Sequence, residues 1–164
     1  MFTAMVLNAL DKELENIQRA LNRVSDEAVW RKQREGTNSI GNLCLHLAGN
    51  EYHNIVSSIG GVPFERERSA EFMAEGGFTC KELAGRLLSV REQSRKVLHS
   101  LSEDDLQREV TIVYPPEAGI ATATRQMMPL LYHVSVHYSY HAGQIVYMTR
   151  LLQDENEHLL KWRH

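Results

Sequence analysis

The 164 residues carry a formal net charge of −3, with 18 Lys and Arg against 21 Asp and Glu. That balance lacks the basic face on which nucleic-acid binding depends, so nucleic acid is not an expected partner. Hydrophobic residues at 43% and charged residues at 24% are ordinary for a globular chain, and the length predicts one domain over 1–164 with a sizeable core.

The apolar start, Met-Phe-Thr-Ala-Met-Val-Leu, runs straight into Asp11, Glu13 and Glu15 without a basic region, so no signal peptide is expected. No apolar stretch approaches the roughly 20 residues that span a bilayer, so no membrane partner is expected. Cys44 and Cys80 are too few for a disulfide framework and predict a reducing, cytoplasmic setting.

Met5, Leu7, Leu10, Leu14, Ile17, Leu21 and Val24 recur by threes and fours, which predicts an amphipathic helix over 3–24. Ser25 reads as a new N-cap opening a short helix through Trp30. Arg34 to Asn38 is a loop by composition, and Asn38 is the expected cap of a second long helix over 39–58. Leu43, His46, Leu47 and Asn50 share one side of that helix. His53 falls about 20° from His46 after two turns. Gly60 and Gly61, with Pro63 behind them, end it.

Residues 61–78 then form a polar connection holding Arg66, Glu67, Arg68 and Glu71, a length that points to a crossover or a site. Thr79 to Glu82 is a capping box opening a third helix to about His99. Glu109 to Tyr114 is rich in β-branched residues and predicts a strand. Pro115 and Pro116 break it, and 120–124 is expected to return as a hairpin partner. Thr122 or Thr124 is the expected cap of the last long helix, which carries Pro129 in its first turn and runs to about Gln153. The tail from Asp154 to His164 reads as either helix or frayed end. These elements predict an all-α fold, a four-helix bundle with a small β-hairpin between its third and fourth helices.

The last helix carries His133, His137 and His141. Each four-residue step rotates a side chain by only about 40°, so adjacent imidazoles rise along one face and can close on one ion. Imidazole suits zinc, nickel, copper or iron, and a two-histidine clip needs a further ligand from elsewhere. His46 alone reads more readily as a buried imidazole bonded to a neighbour, but a bundle places helix two opposite helix four.

Two stretches carry a family resemblance: Asn42-Leu-Cys-Leu-His46-Leu47 and His137-Tyr-Ser-Tyr-His141-Ala-Gly-Gln144-Ile145. Together they resemble the paired motifs of the DinB/YfiT-like metalloprotein superfamily. The resemblance implies a divalent metal ion, zinc or nickel foremost, held by His46, His137 and His141, with His133 beside the site and not ligating. It also implies, for some branches, transfer of a low-molecular-weight thiol, so a small thiol and a small electrophile are the expected partners. Metal-dependent hydrolysis and a non-catalytic metal-binding module are the alternatives. Three neutral imidazoles leave a fourth position open, as catalytic zinc sites do.

Asn50 and Gln144 lie on faces from which they can orient the ligating rings, with Tyr140 and His53 as further candidates. Glu51 lies about 140° around from His46, too far for that role. Cys44 points about 200° away from His46 and reads as an inert buried thiol. Cys80 sits in a first helical turn, which can lower a thiol pKa, but no basic partner accompanies it. Ligating histidines must be neutral, so metal occupancy is expected to fall as pH drops through about 6.5. A homodimer is expected, through the first-helix face of Met1, Met5 and Leu14 or the outer last-helix face around Tyr147 and Leu151.

Overall fold

Each long helix forms where an apolar stripe meets a usable start. The structure, a computed structural model, describes residues 2–114 and 119–153. The expectations for Met1, Pro115, Pro116 and the tail, with His158 and His164, lie outside the described residues. Helix α1 (Phe2–Leu21) turns Val6, Leu7, Leu10, Leu14 and Ile17 into the core. Ser25 Oγ accepts from the Ala28 N–H but opens only a 3₁₀ turn, Ala28–Trp30.

Helix α2 (Ile40–Glu51) is capped by Ser39, not Asn38. Ser39 Oγ accepts from the Asn42 N–H at 3.1 Å, and Asn42 Oδ1 accepts from the Ser39 N–H at 3.0 Å. The reciprocal box satisfies two donors that a helix start otherwise orphans. The expected continuation to 58 is helical but changes its winding, because Tyr52–Ile59 is a π-helix. The Gly60 N–H reaches back five residues to the Ile55 carbonyl at 2.9 Å. The wider turn takes His53 out of the α register that put it beneath His46. Its imidazole instead meets the Val113 carbonyl at 2.8 Å.

A short helix, α3 (Arg68–Met73), lies inside the polar connection and has no fully buried residue. Helix α4 (Cys80–Ser100) opens with the expected Thr79–Glu82 box. Strands β1 (Glu109–Ile112) and β2 (Ala123–Gln126) form the antiparallel hairpin, with Glu109 opposite Gln126 and Ile112 opposite Ala123. Helix α5 (Met127–Leu152) follows β2 without a break, so neither Thr122 nor Thr124 caps it. The Met127 N–H is taken by the Arg108 carbonyl at 2.9 Å, which extends the hairpin ladder into the helix start. Pro129 falls in the first turn, where its missing N–H costs nothing.

Side-chain meetings fix the helix directions. Phe2 lies at Glu103 and Asp11 at Arg91 and Arg95, so α1 and α4 are antiparallel. Glu51 meets Arg91 and Gly60 meets Val97, so α2 and α4 run the same way. His46 faces His137 and His141 while Leu43 walls a cavity with Gln144 and Tyr147, so α2 and α5 are antiparallel. The order is up-down-down-up. Parallel α2 and α4 demand a return along the bundle, which accounts for the long connection. The crossover is tied down at its far end, where Trp30 Nε1 donates to the Phe78 carbonyl at 2.8 Å.

The four helices share one apolar core, interrupted by one ionic layer. Arg91, 0% exposed, donates to Glu51 Oε1 and Oε2 at 2.8 and 2.9 Å and to Asp11 at 3.0 Å. Its guanidinium also lies 4.9 Å from the Tyr138 ring centre. Among the described residues, no helix is long and apolar enough to cross a membrane.

Candidate metal centre

The antiparallel pairing of α2 and α5 sets His46 against His137 and His141. One ligand nitrogen from each lies within 4.8 Å of the others. His46 is buried, and the other two are half-buried. The closest pair is His46 Nε2 and His137 Nε2, 3.0 Å apart. Two nitrogens on one tetrahedral zinc, each 2.0–2.1 Å away, sit about 3.3 Å apart, so this spacing is close to that of a shared ion.

Two of the three rings are oriented from behind. His46 Nδ1 lies 3.0 Å from Glu71 Oε2, and His141 Nδ1 lies 2.7 Å from Gln144 Oε1. An acceptor on Nδ1 holds the proton there and leaves Nε2 bare, the arrangement that ligating histidines use. With His46 Nε2 bare, the 3.0 Å contact needs a proton from His137, which places that proton on His137 Nε2. His137 Nδ1 is buried without a partner, and a bare nitrogen there costs less than an orphaned donor.

The donor set suits a cation. Burial pushes the His137 proton affinity down to about 3, helped by repulsion from His46, His141, His133 and Arg66. Burial also lowers His141, partly opposed by Gln144. Both rings are therefore neutral at physiological pH, as a ligand must be.

His133 is exposed, with its ring centre 6.2 Å from that of His137. Tyr140 is exposed at the edge of His141. Among the described residues, no hydrogen bond links Asn50 to the histidines, and its backbone carbonyl accepts from Asn54 Nδ2. The partner of His46 is Glu71, which sequence reasoning left inside a polar connection. Phe72, its neighbour, packs on His46 with ring centres 4.7 Å apart. The length of the crossover was the one signal for either residue. Glu51 is occupied by Arg91, away from the histidines.

The cysteines take no part. Burial raises the Cys44 thiol far above its ordinary range. Cys80, where a lowered value was conceivable, is pushed up to about 11 by burial and by Asp26. Asp26 Oδ1 accepts from the Cys80 N–H at 2.7 Å, so a carboxylate stands where the helix N-terminus faces.

Residues 2–162 match a family described as a protein of unknown function, DUF1572. No protein with a curated description matches the chain. A DinB-like protein from Bacillus cereus is 19% identical, with 89% of each chain covered and a TM-score of 0.67. A conserved protein from Enterococcus faecalis is 18% identical over 92% of this chain and 96% of its own, with a TM-score of 0.69. YfiT from Bacillus subtilis, described as a probable metal-dependent hydrolase with an unusual four-helix bundle topology, is 13% identical over 91% of this chain and 86% of its own, with a TM-score of 0.68. Identities this low establish the shared fold, and the family match spans nearly the whole sequence. The chain belongs to the DUF1572 family and shares its four-helix-bundle fold with the DinB-like protein and YfiT.

Proposed function

We propose that the protein holds one divalent metal ion, zinc or nickel, on His46, His137 and His141 and uses it to activate a small nucleophile. The observation that carries this reading is the convergence of three imidazoles, two of them fixed from behind by Glu71 and Gln144. When bound there, a divalent ion supplies a Lewis acid that makes an oxygen or sulfur nucleophile available near neutral pH. The chain's own residues bind and orient. Glu71 and Gln144 set the ring tautomers, and Phe72 covers one side of His46.

The reaction we infer is transfer of a low-molecular-weight thiol to a small electrophile. The sulfur has to come from outside, because Cys44 and Cys80 both hold their protons tightly. Hydrolysis is the second reading, favoured by the likeness in fold to YfiT. Zinc-loaded protein assayed with a panel of cellular thiols and electrophiles is expected to show conjugation that His137→Ala abolishes. Zinc-dependent hydrolysis of activated esters without any thiol would assign the second reading. Metal uptake with neither reaction would leave a non-catalytic metal-binding module. Two free cysteines suit the cytoplasm, which is the compartment we propose.

We also propose a homodimer through α5. Its outer face presents Tyr132, Val136, Tyr140, Tyr147 and Leu151, between 48% and 65% exposed, recurring by about one turn with Gly143 between them. Two-fold pairing of one such face with its copy is the commonest way to cover it. The alternative face on the first helix is weakened, because Leu14 is buried in the core. Light scattering at micromolar concentration is expected to give twice the monomer mass, and a Tyr140→Lys variant half of that. A monomeric wild type would refute the pairing.

A further inference from the structure

We propose that Glu71 is a positioning residue for the metal site, reaching in from the crossover to fix which nitrogen of His46 faces the ion. This rests on the metal-binding reading above, and it makes the crossover a working part of the site.

The proton inventory at His46 carries the argument. Two groups approach His46 Nδ1: the Glu71 carboxylate at 3.0 Å and Arg66 Nη2 at 3.3 Å. Nη2 has two hydrogens. One faces Glu71 Oε2 at 2.8 Å and the other lies 3.3 Å from both the His46 carbonyl and Nδ1, but a carboxylate only accepts, so its 3.0 Å contact with Nδ1 needs the proton on that nitrogen. Nδ1 is therefore left to donate, and the carboxylate receives its proton. The Nε2 lone pair then faces His137.

Three further contacts exist to deliver that carboxylate. Arg66, 4% exposed, grips it through Nε to Oε1 at 2.7 Å as well as through Nη2. Such forks fix orientation as well as position. Asn42 Nδ2 donates to the carbonyls of Glu71 and Ala74 at 3.0 and 2.7 Å, which ties α3 to α2. Gly49, one turn along from His46, supplies the room, since a Cβ there would collide with the Glu71 carboxylate. With no fully buried residue of its own, α3 takes its position largely from this polar set. An ion pair that only folded the crossover on itself would need the Arg66 fork alone, without aiming an oxygen at a ligand nitrogen.

Long-range ¹H–¹⁵N NMR of the imidazoles in metal-free protein reads the tautomer directly. The wild type is expected to carry the His46 proton on Nδ1. Glu71→Gln keeps the size of the side chain but can turn an amide donor toward Nδ1, so part of the His46 population is expected to move its proton to Nε2. Zinc affinity at pH 7.5, by competition with a chromophoric chelator, is expected to weaken by about 10- to 100-fold in Glu71→Gln. Gly49→Ala, which displaces the carboxylate without removing its charge, is expected to weaken zinc in the same direction. A His46 proton on Nε2 in the wild type would overturn the proposal, and so would zinc affinity unchanged within twofold in both variants. A wild type that takes up no zinc would instead sink the metal reading, while the tautomer measurement still decides what Glu71 does to His46.

Discussion

Replacing Glu51 by alanine is expected to destabilise the fold by about 3–5 kcal/mol, the cost of stranding one partner of a buried ion pair. Arg91 is 0% exposed and Glu51 is 1% exposed, and the two join through a pair of charge-assisted bonds. Without Glu51, the guanidinium keeps one carboxylate among the described residues, Asp11, itself 30% exposed and shared with Arg95. The substitution also leaves a cavity in the layer that holds Tyr138. At roughly 2–4 °C per kcal/mol for a domain of this size, the melting temperature is expected to fall by roughly 6–20 °C. Replacing both partners, as Glu51→Leu with Arg91→Met, is expected to recover most of the loss, because the pair's desolvation cost disappears with it. Urea denaturation of the single and double variants checks this. A single variant within about 1 kcal/mol of wild type would contradict it.

Stripping the metal is expected to produce the second large effect. An ion bound only by the folded state stabilises it by about 2.7 kcal/mol at a hundredfold excess over Kd and about 4.1 kcal/mol at a thousandfold excess. The melting temperature at pH 7.5 is therefore expected to fall by roughly 5–16 °C on metal removal. The pH window follows from the folded-state proton affinities. His137 is pushed down to about 3 by burial and by its charged and imidazole neighbours, and His141 is lowered too. Protons therefore compete with the ion less strongly than they would at a free histidine. The difference between loaded and stripped protein is expected to persist at pH 6 and to fade only as the solution is acidified well below that. The expected window therefore lies below the roughly 6.5 of a free histidine.

The stripped protein carries its own pH dependence. In the unfolded chain these histidines take up protons near 6.5, while in the fold they resist. Their contribution to stability is complete above about pH 6.5 and is lost as pH falls towards 3, with stability rising with pH between. Thermal melts of loaded and stripped protein across that range test both statements. A metal effect that vanishes between pH 7.5 and 6 would contradict the first.

The parts of this fold that were legible in the sequence are those set by local periodicity. The apolar stripe of α1, the Thr79–Glu82 box of α4 and the four-residue histidine row of α5 each encode their geometry within a few turns. The hairpin was legible for the same reason, from its β-branched run. The site was legible as far as its three histidines, because two helical periods and a bundle are enough to face them. Glu71 was not, because it meets His46 from 25 positions away along a crossover with no period. Gly49 has no meaning until that carboxylate is placed beside it. The π winding of Tyr52–Ile59 was hidden too, since the apolar pattern there fits a plain helix. What reveals it is the carbonyl partner of Gly60 and the turning of His53 towards Val113. The raised Cys80 thiol was not legible either, because the Asp26 carboxylate that meets its helix terminus comes from 54 positions away.

The central claim is that His46, His137 and His141 hold an ion together while His133 does not. Its most direct test is the metal content of protein purified without nickel chromatography and supplied with one equivalent of zinc. Wild type and His133→Ala are expected to retain close to one ion per chain through gel filtration. His46→Ala, His137→Ala and His141→Ala are each expected to lose most of it while keeping a cooperative melt. Equal metal content in wild type and His137→Ala would contradict the account.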